Sequence, residues 1–593
     1  MPGIVGLLTR MPREQAEPQL LRMVDALRLD PSYSTGTWVD ESLGVYVGWS
    51  VRKGSFADGM PICNERGDVT LVFAGEEFPE PGTTRRLKQQ GHEIRQPGPS
   101  YLVHVYEDDA TFPAGLNGRF QGLLTDRSRG TSMLFNDRYG MQRLYYHESR
   151  DAFYFAAEAK AILAVRPELR RPDFRGLGEL IACGCVLEDR TIFDGVNIVP
   201  GGAAWVFRGG VLESQTAYFH AREWEDQTTL DHESYYQETR DIFSRNLPRY
   251  FGGHEPFGIS LTGGLDTRLI MAWHKPAPLS LPCYTFGGMF RDSQDVLVAR
   301  QVARTCNQSH EVITVGDDFL TRFPTYAERT VYFSDGCADV SRAADLFVNE
   351  RARAIAPVRM TGNYGGEVLR RVRAFKPIDM PSDLFRPEFV SHTRQAQTTY
   401  QRIVAGHPLT FAVFKQAPWH HYGLLALEQT QLSLRTPYLD NDFVRTVYRA
   451  PASALSNNNV CRRLIADGDR AMSRIRTDRG SGSHEFFYKA EYAYDYGMPD
   501  WLVRSDRRLA ALRLERLFLG RHKFCHFRIW YRDALSRYVR DVLLDPSALS
   551  RAYLDPKAVE RAVTSHLNGD RNRTTEIHKL LTLELIHRLL LDR

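Results

Sequence analysis

The chain has 593 residues, of which 43% are hydrophobic and 25% charged, and its formal net charge is +4. Such a length predicts roughly two to four domains, and the composition is that of an ordinary globular protein. The N-terminal apolar run is too short for a signal peptide, and no run approaches the roughly 18 residues of a membrane span. We therefore expect a cytoplasmic protein, and the small net charge gives no argument for nucleic acid or a membrane as partner.

Short apolar runs bounded by Gly, Asp, Asn or Arg fill residues 1 to about 210 and predict β-strands. The clearest of them are 44–51, 69–75, 120–126, 131–137 and 152–158. Two helical patterns, near 14–28 and 173–183, interrupt these runs. The combination predicts a layered α+β domain with antiparallel sheets.

The pattern changes after about residue 230, where predicted strands alternate with predicted helices. The strands are 257–261, 281–287, 310–316 and 357–362, and the helices are 231–247, one that begins near Gly264, 292–306 and 317–330. This alternation predicts a parallel sheet with crossover helices. Residues 388–593 are predicted to be mainly helical. The polar stretch 223–233 is the predicted linker, which gives domains at 1–222 and 223–593.

Cysteine and histidine give no sign of a metal site. The eight cysteines are scattered, and the pair Cys183 and Cys185 has no second pair near it, so we expect reduced thiols. The histidines, including His420 and His421, lack the spacing of metal ligands and are interpreted as packing or surface residues.

The segment LTGGLDTR at 261–268 carries the strongest chemical signal. It follows an apolar strand and begins a helix, so its glycines allow a sharp turn and its amides point at a ligand. Backbone amides at a helix N-terminus bind phosphate oxygens, and Thr262 and Thr267 add hydroxyl donors. A carboxylate beside phosphates requires a cation between them, which makes Asp266 a candidate Mg²⁺ ligand.

This segment resembles the S-G-G-L-D-S pyrophosphate loop of the asparagine synthetases, with Arg268 in place of a small residue. Further stretches resemble family segments in the same order: CYTFG (283–287), DSQDVLVARQVA (292–303), MTGNYGGEVLR (360–370), RTPYLDNDF (435–443) and IRTDRGSG (475–482). The resemblance implies an α/β parallel-sheet ATP-pyrophosphatase domain with a helical C-terminal part. ATP and Mg²⁺ are the implied cofactors.

The resemblance also implies which residues form the site. It assigns catalytic roles to Asp266, Glu367 and Arg479, and it assigns metal binding to Asp266 and Glu367. The implied nucleotide-binding residues are Leu261, Thr262, Gly263, Gly264, Leu265, Asp266, Thr267, Thr285, Phe286, Thr361 and Gly362. In MTGNYGGEVLR the family's first Glu is Asn363 and its Asp is Gly366, which leaves Glu367 as the acidic residue. The phosphate-binding Lys has Arg476 and Arg479 as candidate replacements.

The N-terminal region resembles the class II glutamine amidotransferase domain, which implies an Ntn-type αββα sandwich. PGIVG (2–6), FAGEE (73–77), the stretch 116–148 and FYFAAEAKAIL (153–163) match family segments. The family mechanism needs an N-terminal cysteine thiol, and this chain has Pro2. Ala74 replaces an Asn that helps to stabilise the oxyanion. We expect this domain to lack glutaminase activity.

The expected function is an ATP-dependent ligase that adenylates a small-molecule or peptide carboxylate and forms an amide with ammonia or a substrate amine. Two alternatives remain open: an intramolecular cyclase of the β-lactam synthetase or lasso-peptide cyclase type, and a non-catalytic nucleotide-binding scaffold. The basic stretch 504–540 holds eleven Lys/Arg and three acids, and we interpret it as a solvated helix face rather than a nucleic-acid or membrane site. A homodimer is compatible with the sequence.

Overall fold

A computed structural model describes residues 2–94, 98–378, 380, 382–478, 486, 489–493, 500–509 and 519–593. Two six-stranded antiparallel sheets form the N-terminal part. Their strands are β1 Gly3–Thr9, β2 Tyr33–Asp40, β3 Val45–Arg52, β4 Ile62–Cys63, β5 Val69–Glu77, β6 Gly118–Asp126, β7 Thr131–Asn136, β8 Tyr145–Glu148, β9 Ala152–Ala156, β10 Asn197–Ile198, β11 Ala203–Arg208 and β12 Val211–Ala217. The orders are β10-β8-β9-β1-β3-β2 and β12-β11-β7-β6-β5-β4.

Strand β1 shows how the layers are built, because it is buried on both faces. Ile4 and Leu8 pack into the core shared with the second sheet, whereas Val5 and Leu7 pack into the core that contains the helix Arg13–Ala26. This is the two-residue alternation of a strand, with apolar residues on both sides. The predicted α+β sandwich of antiparallel sheets is thus confirmed.

A five-stranded parallel sheet forms the centre of the C-terminal part. Its strands are β13 Phe257–Ser260, β14 Cys283–Gly288, β15 His310–Val315, β16 Val358–Met360 and β17 Ser433–Arg435, in the order β15-β14-β13-β16-β17. The first four confirm the predicted strands. Strand β17 lies in the region predicted to be helical, and its three residues are too few to show a periodic pattern.

Helices cover both sheet systems. Those of the N-terminal part are Arg13–Ala26, Thr83–Gln89, Leu102–Asp108, Ala159–Val165 and Phe174–Cys183. The later α-helices are Arg222–Glu225, His232–Asn246, Asp266–His274, Gln294–Thr305, Asp317–Phe333, Ala343–Ile355, Gly365–Arg370, Pro387–Val404, Pro408–Phe411, Tyr422–Gln429, Asn441–Val447, Asn459–Gly468, Arg470–Ser473, Asp500–Leu509, Phe527–Arg532, Ser536–Leu543, Pro546–Leu549, Pro556–Leu567 and Thr574–Ile586, with π-helices at Ala412–His420 and His587–Leu591.

The helical C-terminal part is therefore as predicted. Among the helices within the described residues, none is both long enough and apolar enough to cross a bilayer. Of the basic stretch 504–540, residues 510–518 lie outside the described residues, so its helix-face interpretation stays a prediction. The eight cysteines, all within the described residues, form no disulfide, and four of them are buried.

The first residues of the predicted linker 223–233 are packed, and the domain boundary between 222 and 223 stays a prediction. They belong to the short helix Arg222–Glu225, in which Trp224 is buried. Later in the stretch, the backbone N–H of Leu230 donates to the carbonyl oxygen of Arg449 at 2.8 Å. One aromatic side chain in a polar stretch outweighs the surrounding polarity, because burying it releases a large apolar surface from water.

A buried ion cluster joins the N-terminal part to the C-terminal part. Lys160 Nζ donates to Asp335 Oδ1 at 3.2 Å and forms an ion pair with Glu158, and the three side chains are at most 4% exposed. The backbone N–H of Ala159 donates to Asp335 Oδ2 at 2.6 Å. Burial raises the pKa of Asp335, although the charge of Lys160 opposes that shift.

Replacing Lys160 with Met tests whether this cluster stabilises the fold. The variant leaves two buried carboxylates without their cation, so we expect the free energy of unfolding to fall by about 3–5 kcal/mol. Urea denaturation followed by circular dichroism measures the change. The control is Arg537→Met, which removes a guanidinium that is 93% exposed and paired with Asp541 at 3.4 Å. Its expected effect is within about 0.5 kcal/mol, and equal effects in both variants would contradict the assignment.

Candidate functional site

The predicted phosphate loop connects the central strand β13 to the helix Asp266–His274. It therefore lies at the carboxyl end of a parallel sheet, where ligands of open α/β folds bind. The N–H of Gly263 donates to Asp295 Oδ1 at 2.8 Å, and the N–H of Gly264 donates to Thr262 Oγ1 at 3.2 Å. A Cβ atom at Gly263 would lie 2.3 Å from the Cβ of Asp478, so the turn requires glycine.

A cavity of about 660 Å³ opens beside this loop. Six of the residues expected in the site line it: Thr262, Gly264, Leu265, Asp266, Gly362 and Glu367. The other described candidates are Leu261, Gly263, Thr267, Thr285, Phe286 and Thr361, and they lie outside the lining. Arg479 lies outside the described residues.

Two buried threonines of the predicted nucleotide-binding set hold the backbone of the loop region. Thr285 Oγ1 donates to the carbonyl oxygen of Leu261 at 2.9 Å and lies 2.8 Å from His310 Nε2. Thr361 Oγ1 accepts from the N–H of Asn363 at 3.2 Å. These contacts position the strand ends around the cavity, and the adenosine contacts of Thr285 and Phe286 stay predictions.

The carboxylate of Asp266 has one paired and one unpaired oxygen. Arg370 donates to Oδ2 at 2.8 Å, whereas Oδ1 is buried without a hydrogen-bond partner among the described residues. The Tyr438 hydroxyl donates to the backbone carbonyl of Asp266 at 2.7 Å and fixes the residue from behind. Burial raises the pKa of Asp266, and Glu367 adds to the increase, while the charge of Arg370 opposes it.

Glu367 lines the same cavity and is held by the helices behind it. Its Oε1 lies 3.1 Å from His421 Nε2 and accepts from Gln416 Nε2 at 3.4 Å. Burial raises the pKa of Glu367, but the hydrogen bond and the charge of His421 outweigh burial, so that the net effect is a lower pKa. Glu367 is therefore ionised at neutral pH.

Two glycines allow the segment after β16 to lie against Asp266. A Cβ at Gly362 would lie 2.7 Å from the Thr267 nitrogen, and one at Gly365 would lie 2.8 Å from Asp266 Cγ. A Cβ at Gly366, where the family has Asp, would lie 3.2 Å from an Arg370 guanidinium nitrogen. In this chain Arg370 therefore contacts Asp266 next to Gly366, the position at which the family has a second acid.

Arg268, whose role the sequence left open, is one of the largest fully buried side chains. Its guanidinium donates to the carbonyl oxygens of Ile475 at 2.5 Å, Arg476 at 2.9 Å and Gly263 at 3.3 Å. It therefore connects the phosphate loop to the segment 475–478. The candidate Arg476 is exposed, and its guanidinium donates to Gln294 Oε1 at 3.3 Å.

Sequence reasoning missed several charged residues that line the cavity: Asp295, Arg342, Arg370, His421, Glu428, Arg462 and Asp478. Arg370, Asp295 and Asp478 fall within the quoted family-like segments, so their positions were visible although their roles were not. No sequence signal pointed to Arg342, Arg462 or Glu428. The missed residues add three carboxylates and three guanidinium groups, so that the lining holds five carboxylates and three arginines in all. Guanidinium groups suit phosphate oxygens.

The donor set fits Mg²⁺, which prefers oxygen ligands and binds one or two carboxylates together with phosphate oxygens. The unpaired Asp266 Oδ1 is buried at the cavity, and Glu367 and Asp295 line the same space. Because Arg370 already neutralises Asp266 Oδ2, we expect the metal at Oδ1. Asp266 and Glu367 stay predicted ligands, and Asp295 is a third oxygen donor within the same cavity.

The region around Pro2 is closed by comparison. A cavity of about 40 Å³ is lined by Pro2, Glu76 and Arg119 among others, which leaves room for a few water molecules at ~10–15 Å³ each. Glu76 Oε1 accepts from Arg435 at 2.8 Å, so its carboxylate is already paired. The Gln142 side-chain amide donates to the Pro2 carbonyl at 2.9 Å. The cavity beside Pro2 is therefore small, and the Glu76 carboxylate in its lining is already paired.

Two family models match the chain in succession. Residues 1–219 match the glutamine amidotransferase domain, and residues 238–467 match asparagine synthase. Asparagine synthetase [glutamine-hydrolyzing] 1 of Bacillus subtilis (strain 168) is 23% identical over 65% of this chain and 62% of its own length. Asparagine synthetase [glutamine-hydrolyzing] 2 of the same strain is 26% identical over 96% of this chain and 83% of its own length.

Other similar proteins have different names. Amidase chry2 of Gibberella zeae is 24% identical over 42% of this chain and 40% of its own length. Among solved structures, glutamine phosphoribosylpyrophosphate amidotransferase from B. subtilis, complexed with ADP and GMP, has a TM-score of 0.26 and 10% identity, covering 44% of this chain and 60% of that chain. That structural similarity is weak.

A methyl group at Gly362 tests the close approach that shapes the site. In Gly362→Ala the Cβ meets the backbone of Thr267, which cannot move without displacing the helix N-terminus. We expect the affinity for ATP, measured by calorimetry, to fall at least about tenfold. The control is Gly316→Ala, whose Cβ meets no atom of the described chain within 4 Å. Unchanged ATP binding in Gly362→Ala, or an equal loss in the control, would argue against the site.

Proposed function

The chain belongs to the asparagine synthetase family, and we propose that it is an ATP-dependent carbon–nitrogen ligase that works without its own glutaminase. It adenylates a carboxylate with release of pyrophosphate, and ammonia or a substrate amine then displaces AMP. The observation that carries the proposal is the convergence of the phosphate loop, an unpaired Asp266 oxygen and three arginines in one cavity.

Arginines supply the contacts to phosphate, and cations would offset the acids of the cavity. Arg342, Arg370 and Arg462 line it, together with five carboxylates that include Asp266 and Glu367. Bound Mg²⁺ would spread the negative charge of the departing pyrophosphate, and Asp266 and Glu367 would hold it. The start of helix Asp266–His274 and the Thr262 hydroxyl would orient the phosphate chain, because a helix N-terminus favours negative charge.

The chemical step depends on positioning and charge neutralisation. The substrate carboxylate attacks the α-phosphate of ATP, and the bond to pyrophosphate breaks. A nitrogen lone pair then attacks the activated carbonyl, AMP leaves with the bonding electrons, and the nitrogen loses a proton. Arg370 keeps Asp266 in place, and His421 keeps Glu367 in place, so both carboxylates are preorganised before the substrates bind.

Pyrophosphate and AMP release tests the ligase directly. The wild-type protein, supplied with ATP, Mg²⁺, ammonium and a panel of small acids and peptides, is expected to form AMP and pyrophosphate in equal amounts. In Asp266→Asn the rate should fall roughly 100-fold, because the substitution removes the negative charge of a predicted Mg²⁺ ligand.

The control for that substitution is Asp226→Asn, since the Asp226 side chain is 71% exposed. It should keep the wild-type rate. ATP binding without any AMP formation across the panel would favour the scaffold alternative. AMP formation that needs no ammonium, with a peptide that carries its own amine, would favour the intramolecular cyclase.

Glutamine should not serve as nitrogen donor. We expect no glutamate release above background, and the same result for Pro2→Cys, because the cavity near Pro2 is small and Glu76 is paired with Arg435. A coupled glutamate dehydrogenase assay measures the release, with ammonium as the positive control for amide formation. Glutamate production by the wild-type chain would refute this part of the proposal, and production by Pro2→Cys alone would show that the pocket is still usable.

A further inference from the structure

Four side chains with metal-binding atoms meet at the edge of the second sheet, outside the ATP cavity. Glu65 follows the edge strand β4, and His92 follows the helix Thr83–Gln89. His104 and Glu107 lie one turn apart on the helix Leu102–Asp108, where side chains three positions apart are neighbours. One ligand atom from each of the four lies within 4.8 Å of the others. We call this group the His92/His104 cluster.

The distances within the cluster suit a single small cation. His104 Nδ1 lies 2.9 Å from Glu107 Oε2 and 3.7 Å from Glu65 Oε2. His92 Nδ1 lies 3.7 Å from Glu107 Oε2. A tetrahedral Zn²⁺ with bonds of about 2.0–2.1 Å separates its ligand atoms by about 3.4 Å, which lies between these values. Small shifts of side chains would therefore close a four-ligand shell.

The second polar atom of three of the four side chains is held by an outer partner. His92 Nε2 lies 3.0 Å from Asp108 Oδ1. Glu107 Oε1 accepts from Asn64 Nδ2 at 2.8 Å, and Glu65 Oε1 accepts from the N–H of Glu93 at 2.6 Å. This leaves His92 Nδ1, Glu107 Oε2 and Glu65 Oε2 turned toward the cluster. Carboxylate or amide partners behind the ligands are what metal sites use to orient imidazole and carboxylate groups.

The charge of the four ligands suits a dication. The two imidazole rings lie 4.6 Å apart, and His104 is only 2% exposed. A divalent cation with two neutral imidazoles and two carboxylates has no net charge, and this lowers the cost of burial.

We propose that the His92/His104 cluster binds a transition-metal dication of the Zn²⁺ type through His92 Nδ1, His104 Nδ1, Glu65 Oε2 and Glu107 Oε2. Two imidazoles with two carboxylates suit such a metal better than Mg²⁺ or Ca²⁺, which take oxygen ligands. The ion joins the loop after β4, the segment after helix Thr83–Gln89 and the helix Leu102–Asp108. It is a structural site of the N-terminal part, independent of the proposed ligase activity.

Zinc titration of the full-length, chelator-treated chain tests this site. The experiment is done in excess Mg²⁺, and a competing chromophoric chelator reports the free Zn²⁺. We expect one equivalent of Zn²⁺ to bind and to raise the melting temperature of the protein. His104→Gln should weaken binding at least tenfold, and Asp108→Asn, which removes only the outer partner of His92, about tenfold. Glu65→Gln should also weaken it, and its exposed side chain makes unfolding an unsuitable explanation.

Three matched variants should keep wild-type zinc binding. His254→Gln removes an exposed histidine outside the cluster, Cys63→Ser removes an exposed thiol two residues from Glu65, and Asp266→Asn alters the proposed Mg²⁺ site. Substituting Co²⁺ should give the intense visible absorption of a tetrahedral site. The proposal is overturned if no equivalent binds, if His104→Gln binds as the wild type does, or if Cys63→Ser or Asp266→Asn abolishes binding.

Discussion

The ion pair between Asp266 and Arg370 joins the helix after the phosphate loop to the segment after β16, and both residues line the proposed ATP cavity. Their side chains meet at 2.8 Å, between the first residue of helix Asp266–His274 and the last residue of helix Gly365–Arg370. Gly362 and Gly365 allow this contact, because a Cβ atom at either position would clash with Asp266 or Thr267. It neutralises one carboxylate oxygen of Asp266 and leaves the other buried without a hydrogen-bond partner among the described residues. A single guanidinium thus holds the start of the helix in place. Replacing either glycine, Arg370 or Asp266 would disrupt this same contact.

Much of this architecture could be predicted from the sequence, because strand and loop signals are local. FGISL and CYTFG are apolar runs, each followed by Gly and then by a helical pattern. This pattern sufficed to predict that β13 and β14 belong to a parallel sheet and that the phosphate loop follows β13. Resemblance then identified residues such as Thr262, Asp266 and Glu367, which do line one cavity. Strand β17 was not predictable because three residues carry no period. The packing of the predicted linker could not be foreseen, because Trp224 is one buried residue in a stretch that is otherwise polar.

Side-chain partners were beyond sequence reasoning, because they depend on residues distant along the chain. Arg268 was noticed only as an unusual substitution, yet its three acceptors lie in the loop itself and in residues 475 and 476. Arg370 reaches across 104 positions to Asp266. The His92/His104 cluster escaped the spacing test for the same reason, since its ligands come from three segments of the chain. Local patterns therefore predict where a backbone turns, whereas the charge balance of a site appears only once the chain is folded.

Buried charges hold the N-terminal part against the C-terminal part. Arg435 is the first residue of the family-like segment RTPYLDNDF, and it is paired with Glu76 at 2.8 Å. Asp440 of the same segment accepts a hydrogen bond from Asn117 at 3.2 Å. Lys160 adds the buried pair with Asp335. Each contact places a buried charge of the C-terminal part against a group of the N-terminal part, and a buried charge that loses its partner costs several kcal/mol. Without the N-terminal part, Arg435 would lose Glu76, and Asp335 would lose Lys160. Asp440 would keep its ion pair with Arg249 at 2.6 Å, so the cost falls on the first two contacts.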